Sequence, residues 1–393
     1  MNFKRSDRLA GLGSAIFSEV AEWKREARAR GMDIIDLGIG SPDRPPSPRI
    51  MEALRNAVGN PANYGYPTSE GSPEFRGTVA RWYAHRFGVT LDPGTEVLAL
   101  MGSQDGLAHL AMAVTDPGDA ALVPDPGYPI YSASLVLAGT AAWRMPLREE
   151  NGYLPRLEDI PPEIADRAKL MILNYPSNPL SAVADLSFFR KAVDFARGHD
   201  ILIAHDLAYS EMTFDGYRAP SILQVEGARE VAVEFHSLSK SFNMAGCRIA
   251  FLVGNADAIG ALRMLKSNID YGVFPAVQEA GIAALEEDME HGGSVSGIYE
   301  RRRNLVVEGL TAAGWPIPMP KATMFVWAPI PRGWTSRQIS REILSNTGVV
   351  VIPGDAFGAE GEGYVRIALV QEEERLAEAV RRIGRFLNEH STV

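Results

Sequence analysis

Ser237, Ser239, Lys240 and Arg248 fall within one run of twelve residues. Hydroxyls bind phosphate, and a guanidinium can grip two of its oxygens at once. A lysine set near a second cation and partly withdrawn from water loses its proton more readily and becomes nucleophilic. Such an amine can form a Schiff base with an aldehyde. The same residues also describe an exposed lysine in a polar loop, the usual situation of lysines.

Other chemistry-bearing residues follow short apolar runs. Gly102-Ser103-Gln104 follows Val97–Met101 and enters an amphipathic segment. A small-residue turn at a helix start offers free N–H groups to an anion, or is a plain capped turn. Tyr128 follows a stiff Pro-Asp-Pro-Gly turn, where it can stack on a flat ligand or simply pack. Asn174 and Asn178 lie in a Pro-rich loop, as ligand donors or as Asx turns. His205-Asp206 ends the run Ile201–Ala204, with Tyr209 just beyond. A carboxylate there needs a cation or strong donors, unless it is a helix cap. Together these residues describe one ligand. A phosphate fits Gly102–Gln104, Ser237, Ser239 and Arg248, and a flat ring fits Tyr128. A ring nitrogen bearing a proton fits Asp206, a ring oxygen fits Asn178 and Tyr209, and an aldehyde fits Lys240. That ligand is pyridoxal 5'-phosphate.

The positioning elements are short buried runs alternating with helical segments. Val97–Met101, Ala120–Val123, Leu170–Leu173, Ile201–Ala204, Val231–Phe235 and Ile249–Val253 predict a mainly parallel sheet covered on both faces. Such sheets carry ligands beyond the carboxyl ends of their strands. A helix is predicted over 13–30 and a long helical stretch over roughly 275–313. In the latter, Arg301, Arg302 and Arg303 are expected on a solvated face. A strand near 324–328, a helix near 336–346, strands near 349–352 and 364–368, and a final helix near 371–389 complete a smaller α+β module.

The composition is that of an ordinary globular chain. In 393 residues, 46% are hydrophobic and 22% charged, and 39 Lys and Arg against 49 Asp and Glu give −10. An acidic chain has no global attraction to nucleic acid or anionic membranes. The single cysteine, Cys247, leaves no disulfide framework and no cysteine-based metal cluster. No metal site is expected. Neither a secretory signal nor a membrane-length apolar run is visible, so a cytoplasmic location is expected. There is no phosphate-binding GxxxxGK, no dinucleotide fingerprint after Gly38 and Gly40, and no Gly-x-Ser-x-Gly elbow. A DNA-binding regulator would add a helix-turn-helix module, for which the chain has no extension.

Over nearly its whole length the chain resembles the class I/II pyridoxal-phosphate-dependent aminotransferases. The resemblance is carried by Asp36-Leu37-Gly38-Ile39-Gly40-Ser41-Pro42-Asp43, Tyr64-Gly65-Tyr66-Pro67, Gly71, the strand-end motifs and Tyr364-Val365-Arg366, and above all by Ser237–Arg248. It implies the aspartate-aminotransferase-like fold: a large domain over 46–275, a small domain over 276–393, and an N-terminal arm and part of the small domain over 1–45. It implies that Lys240 holds the cofactor, that Asp206 pairs with the ring nitrogen, and that Tyr209 and Asn178 meet the ring oxygen. Tyr128 would stack on the ring. Gly102, Ser103, Gln104, Ser237, Ser239 and Arg248 would bind phosphate. Tyr66 would reach the phosphate of a neighbouring subunit, making the enzyme a homodimer. Arg366 would grip the substrate α-carboxylate, with Asn174, Asn178 or the Ile39–Gly40 backbone nearby. The implied reaction is ping-pong amino transfer between an L-amino acid and a 2-oxo acid. The wording is most similar to the LL-diaminopimelate and alanine types, and a C–S β-lyase on the same scaffold is the alternative. The sequence departs from the pattern at Leu180-Ser181, directly after Asn178-Pro179, and at Cys247. Arg44, Arg76 and Arg144 are possible partners for a second carboxylate, though each is expected to be a surface charge.

Overall fold

The computed structural model describes residues 3–12, 15–292 and 295–390. Seven strands form the central sheet. Across it they run Val97–Leu100, Ala250–Gly254, Ala232–Ser237, Leu202–Asp206, Ala168–Asn174, Ala120–Asp125 and Ala141–Pro146. All pairings are parallel except those of Ala250–Gly254, which is antiparallel to both its neighbours. The twofold periodicity of a strand sends alternate side chains to opposite faces. Val97 and Ala99 join a core with Phe75, Trp82 and Phe251, while Leu98 and Leu100 join another with Leu107, Leu110 and Ile259. Both faces are therefore dry, which is why the inner strands are mainly apolar. Three of the helices that cover them begin at side-chain caps: Ser72 for Pro73–Phe87, Asp185 for Leu186–Gly198 and Asn255 for Ala256–Lys266.

A second core gathers around an antiparallel sheet of Ile352–Pro353, Tyr364–Ala368 and Phe325–Pro329. Beside it, Ile35–Asp36 pairs in parallel with Val349–Val350. Leu37 extends the junction: its N–H donates to Val350 O and its carbonyl accepts from Ala368 N–H. A segment from near the start of the chain is thus built into the sheets of its far end.

Several expectations need correction. The stretch over 275–313 is two helices, Pro275–His291 and Ser296–Ala312, separated after Gly292 in a left-handed conformation. Arg302 and Arg303 do not sit on a solvated face. Arg302 is 0% exposed and makes a two-point contact with Asp43 at 2.8 Å, and Arg303 pairs with Asp215. Arg76 is also buried, held by Glu70 and the carbonyls of Gly71 and Pro93. The strand expected over 349–352 divides at Val351, where the chain passes from one small sheet to the other. Ala141–Pro146 is an additional edge strand; it is largely exposed and carries no apolar run to betray it. The helix predicted over 13–30 spans Ala15–Ala29, and residues 13 and 14 lie outside the described residues. No helix among the described residues is long and apolar enough to cross a membrane.

Candidate active site

A cavity of about 520 Å³ opens at the carboxyl end of the central sheet. Its wall includes Gly40, Ser103, Gln104, Tyr128, Asn178, Asp206, Tyr209, Ser237, Ser239, Lys240, Arg248 and Arg366. Residues read separately from seven stretches of sequence therefore share one space. The reason is topological: parallel strands deliver the residues that follow them to the same edge.

Lys240 sits on a single helical turn, Leu238–Ser241, directly after a strand. Ser237 starts that turn by accepting a hydrogen bond from Ser239 N–H. Lys240 Nζ donates to the Gly40 carbonyl at 2.5 Å. Burial and then the cations Arg366 and Arg248 pull its pKa down to about 8, with Asp206 opposing them. Asp206 ends its strand, fully withdrawn from water. Its Oδ2 accepts from the Tyr131 hydroxyl at 2.8 Å and its Oδ1 from Ala208 N–H at 3.2 Å. Burial raises its pKa, against these two donors.

Arg366 lies mid-strand in Tyr364–Ala368, between the rings of Phe325 and Phe357, whose centroids are 4.3 and 4.7 Å from its guanidinium carbon. Its Nη1 donates to Asn178 Oδ1 at 2.9 Å and its Nη2 to Gly38 O at 2.7 Å. Its buried Nε has no hydrogen-bond partner. Burial lowers its pKa to about 10. At another part of the wall, the Ser103–Val114 helix begins after Gly102, which has a φ of +80°. A Cβ at Gly102 would land on the Arg248 guanidinium. Glycine is thus required twice over, for backbone conformation and for space. The first amides of that helix have no partner within it. Tyr128 donates to Gln104 Oε1 at 3.2 Å and meets Tyr131 edge to face.

Three predicted residues are placed elsewhere. Asn174 is behind the wall. Its Nδ2 donates to the backbone of Asp206 and Pro176 and its Oδ1 accepts from Asn178 N–H, so it braces the loop. Ile39 is half-exposed and outside the lining. Tyr66 is 88% exposed and packs on Tyr271, with ring centroids 4.8 Å apart. Conversely, Tyr131, Phe17, Ser41, Phe325 and Phe357 line the cavity without having been foreseen. Only Tyr131 had a usable signal, since it stands three residues after Tyr128 and so on the same helical side. Arg44 pairs with Glu372 at the surface, and Arg144 stands 3.8 Å from Asp125; neither lines the cavity. Among the described residues no cluster of His, Cys, Asp or Glu could hold a metal ion.

Fold and site together define a pyridoxal-phosphate-dependent transferase. The model of the class I and II aminotransferases matches residues 32–383, and the chain belongs to that family. It is 50% identical over 380 residues to an LL-diaminopimelate aminotransferase of Moorella thermoacetica, covering 97% of each chain. It is 48% identical over 383 residues to that of Desulforudis audaxviator, covering 98% of each. A substrate-bound structure of BacF from Bacillus subtilis superposes with a TM-score of 0.93 at 42% identity, covering 98% of both chains. The protein is accordingly a transaminase whose substrates are amino acids and 2-oxo acids.

Proposed function

We propose that this cavity holds pyridoxal 5'-phosphate on Lys240 and moves an amino group from LL-diaminopimelate or a similar L-amino acid to a 2-oxo acid. The observation that carries the reading is the meeting of Lys240, Asp206, Arg248 and Arg366 in one cavity. The residues fit the cofactor. Gly102 leaves room where Arg248 and the open helix start converge, and the unpartnered Arg366 Nε marks a wall with spare donor capacity. The LL-diaminopimelate substrate rests on the names of the relatives at about half identity.

When bound, the cofactor supplies an electron sink for the substrate's α-carbon. Lys240 would hold it covalently, and its amine, once free, would carry the proton from the substrate's Cα as general base. A pKa of about 8 leaves part of this amine unprotonated near neutrality. Asp206 keeps the ring nitrogen protonated, with Tyr131 and Ala208 N–H holding the carboxylate in place. Asn178 and Tyr209 meet the ring oxygen and Tyr128 covers the ring. Ser103, Gln104, Ser237, Ser239 and Arg248 take the phosphate. Arg366 orients the α-carboxylate, fixed by Asn178, Gly38 O and its two rings.

The same reading places the enzyme in the cytoplasm as a homodimer, with Tyr66 reaching the partner's phosphate. The exposed aromatics Tyr64, Tyr66, Tyr271 and Phe274 support it as a surface suited to burial. Two main groups of buried residues support a cofactor domain, read over 46–275, and a small domain, read over 276–393 and completed by 1–45, but Ala280, Ala284 and Leu285 pack in the first group, which joins the Pro275–His291 helix to the cofactor domain. The test is a panel of amino donors (LL-diaminopimelate, aspartate, alanine, glutamate and aromatic amino acids) with 2-oxoglutarate or pyruvate. Turnover with LL-diaminopimelate, abolished by Lys240→Ala with the circular dichroism unchanged, is expected. Wild-type turnover in Lys240→Ala overturns the site, and pyruvate and ammonia released from cystathionine without an oxo acid would mark a β-lyase.

A further inference from the structure

Lys266 ends the Ala256–Lys266 helix on the outer side of the Ser103–Val114 helix, away from the cavity lining. It is 0% exposed, which is rare for lysine. Its Nζ lies 2.5 Å from Asp105 Oδ2 and 2.9 Å from Asp270 Oδ2. Asp105 is the third residue of the Ser103–Val114 helix, next to Ser103 and Gln104 in the cavity wall. The same Asp105 Oδ2 accepts from Met101 N–H at 3.0 Å, and its Oδ1 faces His109 Nδ1 at 2.9 Å. Asp270 in turn accepts from Gly272 N–H at 2.7 Å. Burial alone would raise the Asp105 carboxyl, but the Lys266 ammonium outweighs it and keeps the group ionised.

This arrangement contains a conflict that Lys266 resolves. A carboxylate in the first turn stabilises its helix by sitting at the positive end of the dipole. An anion bound to the open amides of the same turn uses that same positive end. An unneutralised Asp105 would therefore repel a bound phosphate across a dry, low-dielectric wall. Asp105 also secures the turn through Met101 N–H, so the carboxylate is useful provided that its charge is cancelled.

We propose that Lys266 is a positioning residue for phosphate binding, cancelling the charge of Asp105 so that the turn at Gly102–Gln104 can accept an anion while Asp105 still braces it. The proposal rests on the reading of that turn as the cofactor's phosphate site. The test uses cofactor-free full-length enzyme titrated with pyridoxal 5'-phosphate and, separately, with pyridoxal, which has the ring and aldehyde but no phosphate. Binding is read from the absorbance of the bound vitamer. Lys266→Met is expected to weaken pyridoxal 5'-phosphate by about tenfold or more while changing pyridoxal less than about twofold. Lys266→Met combined with Asp105→Asn restores the phosphorylated vitamer to within about threefold of wild type, and Lys266→Arg retains it. Equal losses for both vitamers, or no restoration in the double variant, would reduce Lys266 to a structural pillar and overturn the proposal. Should Lys266→Met fail to fold, Asp105→Asn alone decides: affinity for pyridoxal 5'-phosphate holds or rises, and a loss beyond about tenfold overturns it. Failure of the wild type to bind pyridoxal 5'-phosphate better than pyridoxal would instead remove the underlying reading of the turn.

Discussion

The Lys240 amine rests on a backbone carbonyl and feels the Arg366 and Arg248 guanidinium charges, with the Asp206 carboxylate opposing them. A lysine so placed sheds its proton near pH 8. Below that pH the ammonium prevails and above it the free amine. Capture of pyridoxal 5'-phosphate by cofactor-free enzyme should therefore accelerate as pH rises through about 8 and then level off, as stopped-flow absorbance would show. A profile that keeps rising towards the ordinary lysine range would contradict the environment described. Tyr131 is the second residue to test. Its hydroxyl is buried and donates to the carboxylate of Asp206. Removing a hydrogen bond to a charged group costs about 1.5–3 kcal/mol, so Tyr131→Phe should lower kcat by roughly ten- to a hundredfold. KM should move little, because no substrate contact is lost, and steady-state kinetics on both substrates separate the two. Lys240, Asp206 and Arg248 were legible from sequence because each is a polar residue at the end of an apolar run or within a dense motif, whereas Arg366, in mid-strand, was implied only by the family resemblance. Tyr131 left only its spacing from Tyr128 as a signal, and an aromatic near the start of an amphipathic segment reads equally well as core. Asn174 was misplaced because an amide can brace a loop or touch a ligand with the same letters.

At the scale of elements, the turn into the Ser103–Val114 helix is the most constrained. Gly102→Ala would strain a positive φ and drive a methyl into Arg248. Strain of this kind costs about 1–3 kcal/mol, and it should appear as a five- to hundredfold loss of cofactor affinity in equilibrium titration, roughly. The buried arginine in Ser296–Ala312 makes a different demand. Arg302 binds Asp43, which follows the Gly38–Ser41 loop at the cavity. Arg302→Met leaves the solvent-accessible Asp43 without its partner and should lower the unfolding free energy by about 1 kcal/mol in urea. An unchanged midpoint would show that solvent satisfies Asp43 unaided. The arginine run was expected in water because charge runs on helices usually lie there. Its burial depends on a partner 259 positions away in sequence, which no local periodicity can reveal. Strands buried on both faces were recognisable as continuous apolar runs. The exposed edge strand Ala141–Pro146 was not, since an edge needs one neighbour and little hydrophobicity.

For the whole molecule, the two sets of cores follow from composition and element order. The exposed aromatics Tyr64, Tyr66, Tyr271 and Phe274 have no role within one chain that accounts for their exposure. Sedimentation should give twice the chain mass, and Tyr271→Asp should shift the protein towards monomer and weaken cofactor retention together. A monomeric variant with undiminished retention would separate Tyr66 from the neighbouring site. The joining of Ile35–Asp36 to Val349–Val350 has a consequence in time. From residue 36 to residue 349 is 313 residues, so at about 5–20 residues per second roughly 15–60 s of synthesis separate the two partners. The loop that follows residue 36 carries Gly38 and Gly40, and it cannot be seated, nor Arg366 docked on it, until the ribosome has nearly finished. The nascent enzyme is thereby inert until translation is almost complete, and a polypeptide that ends before Arg366 has a formed central sheet but an open site.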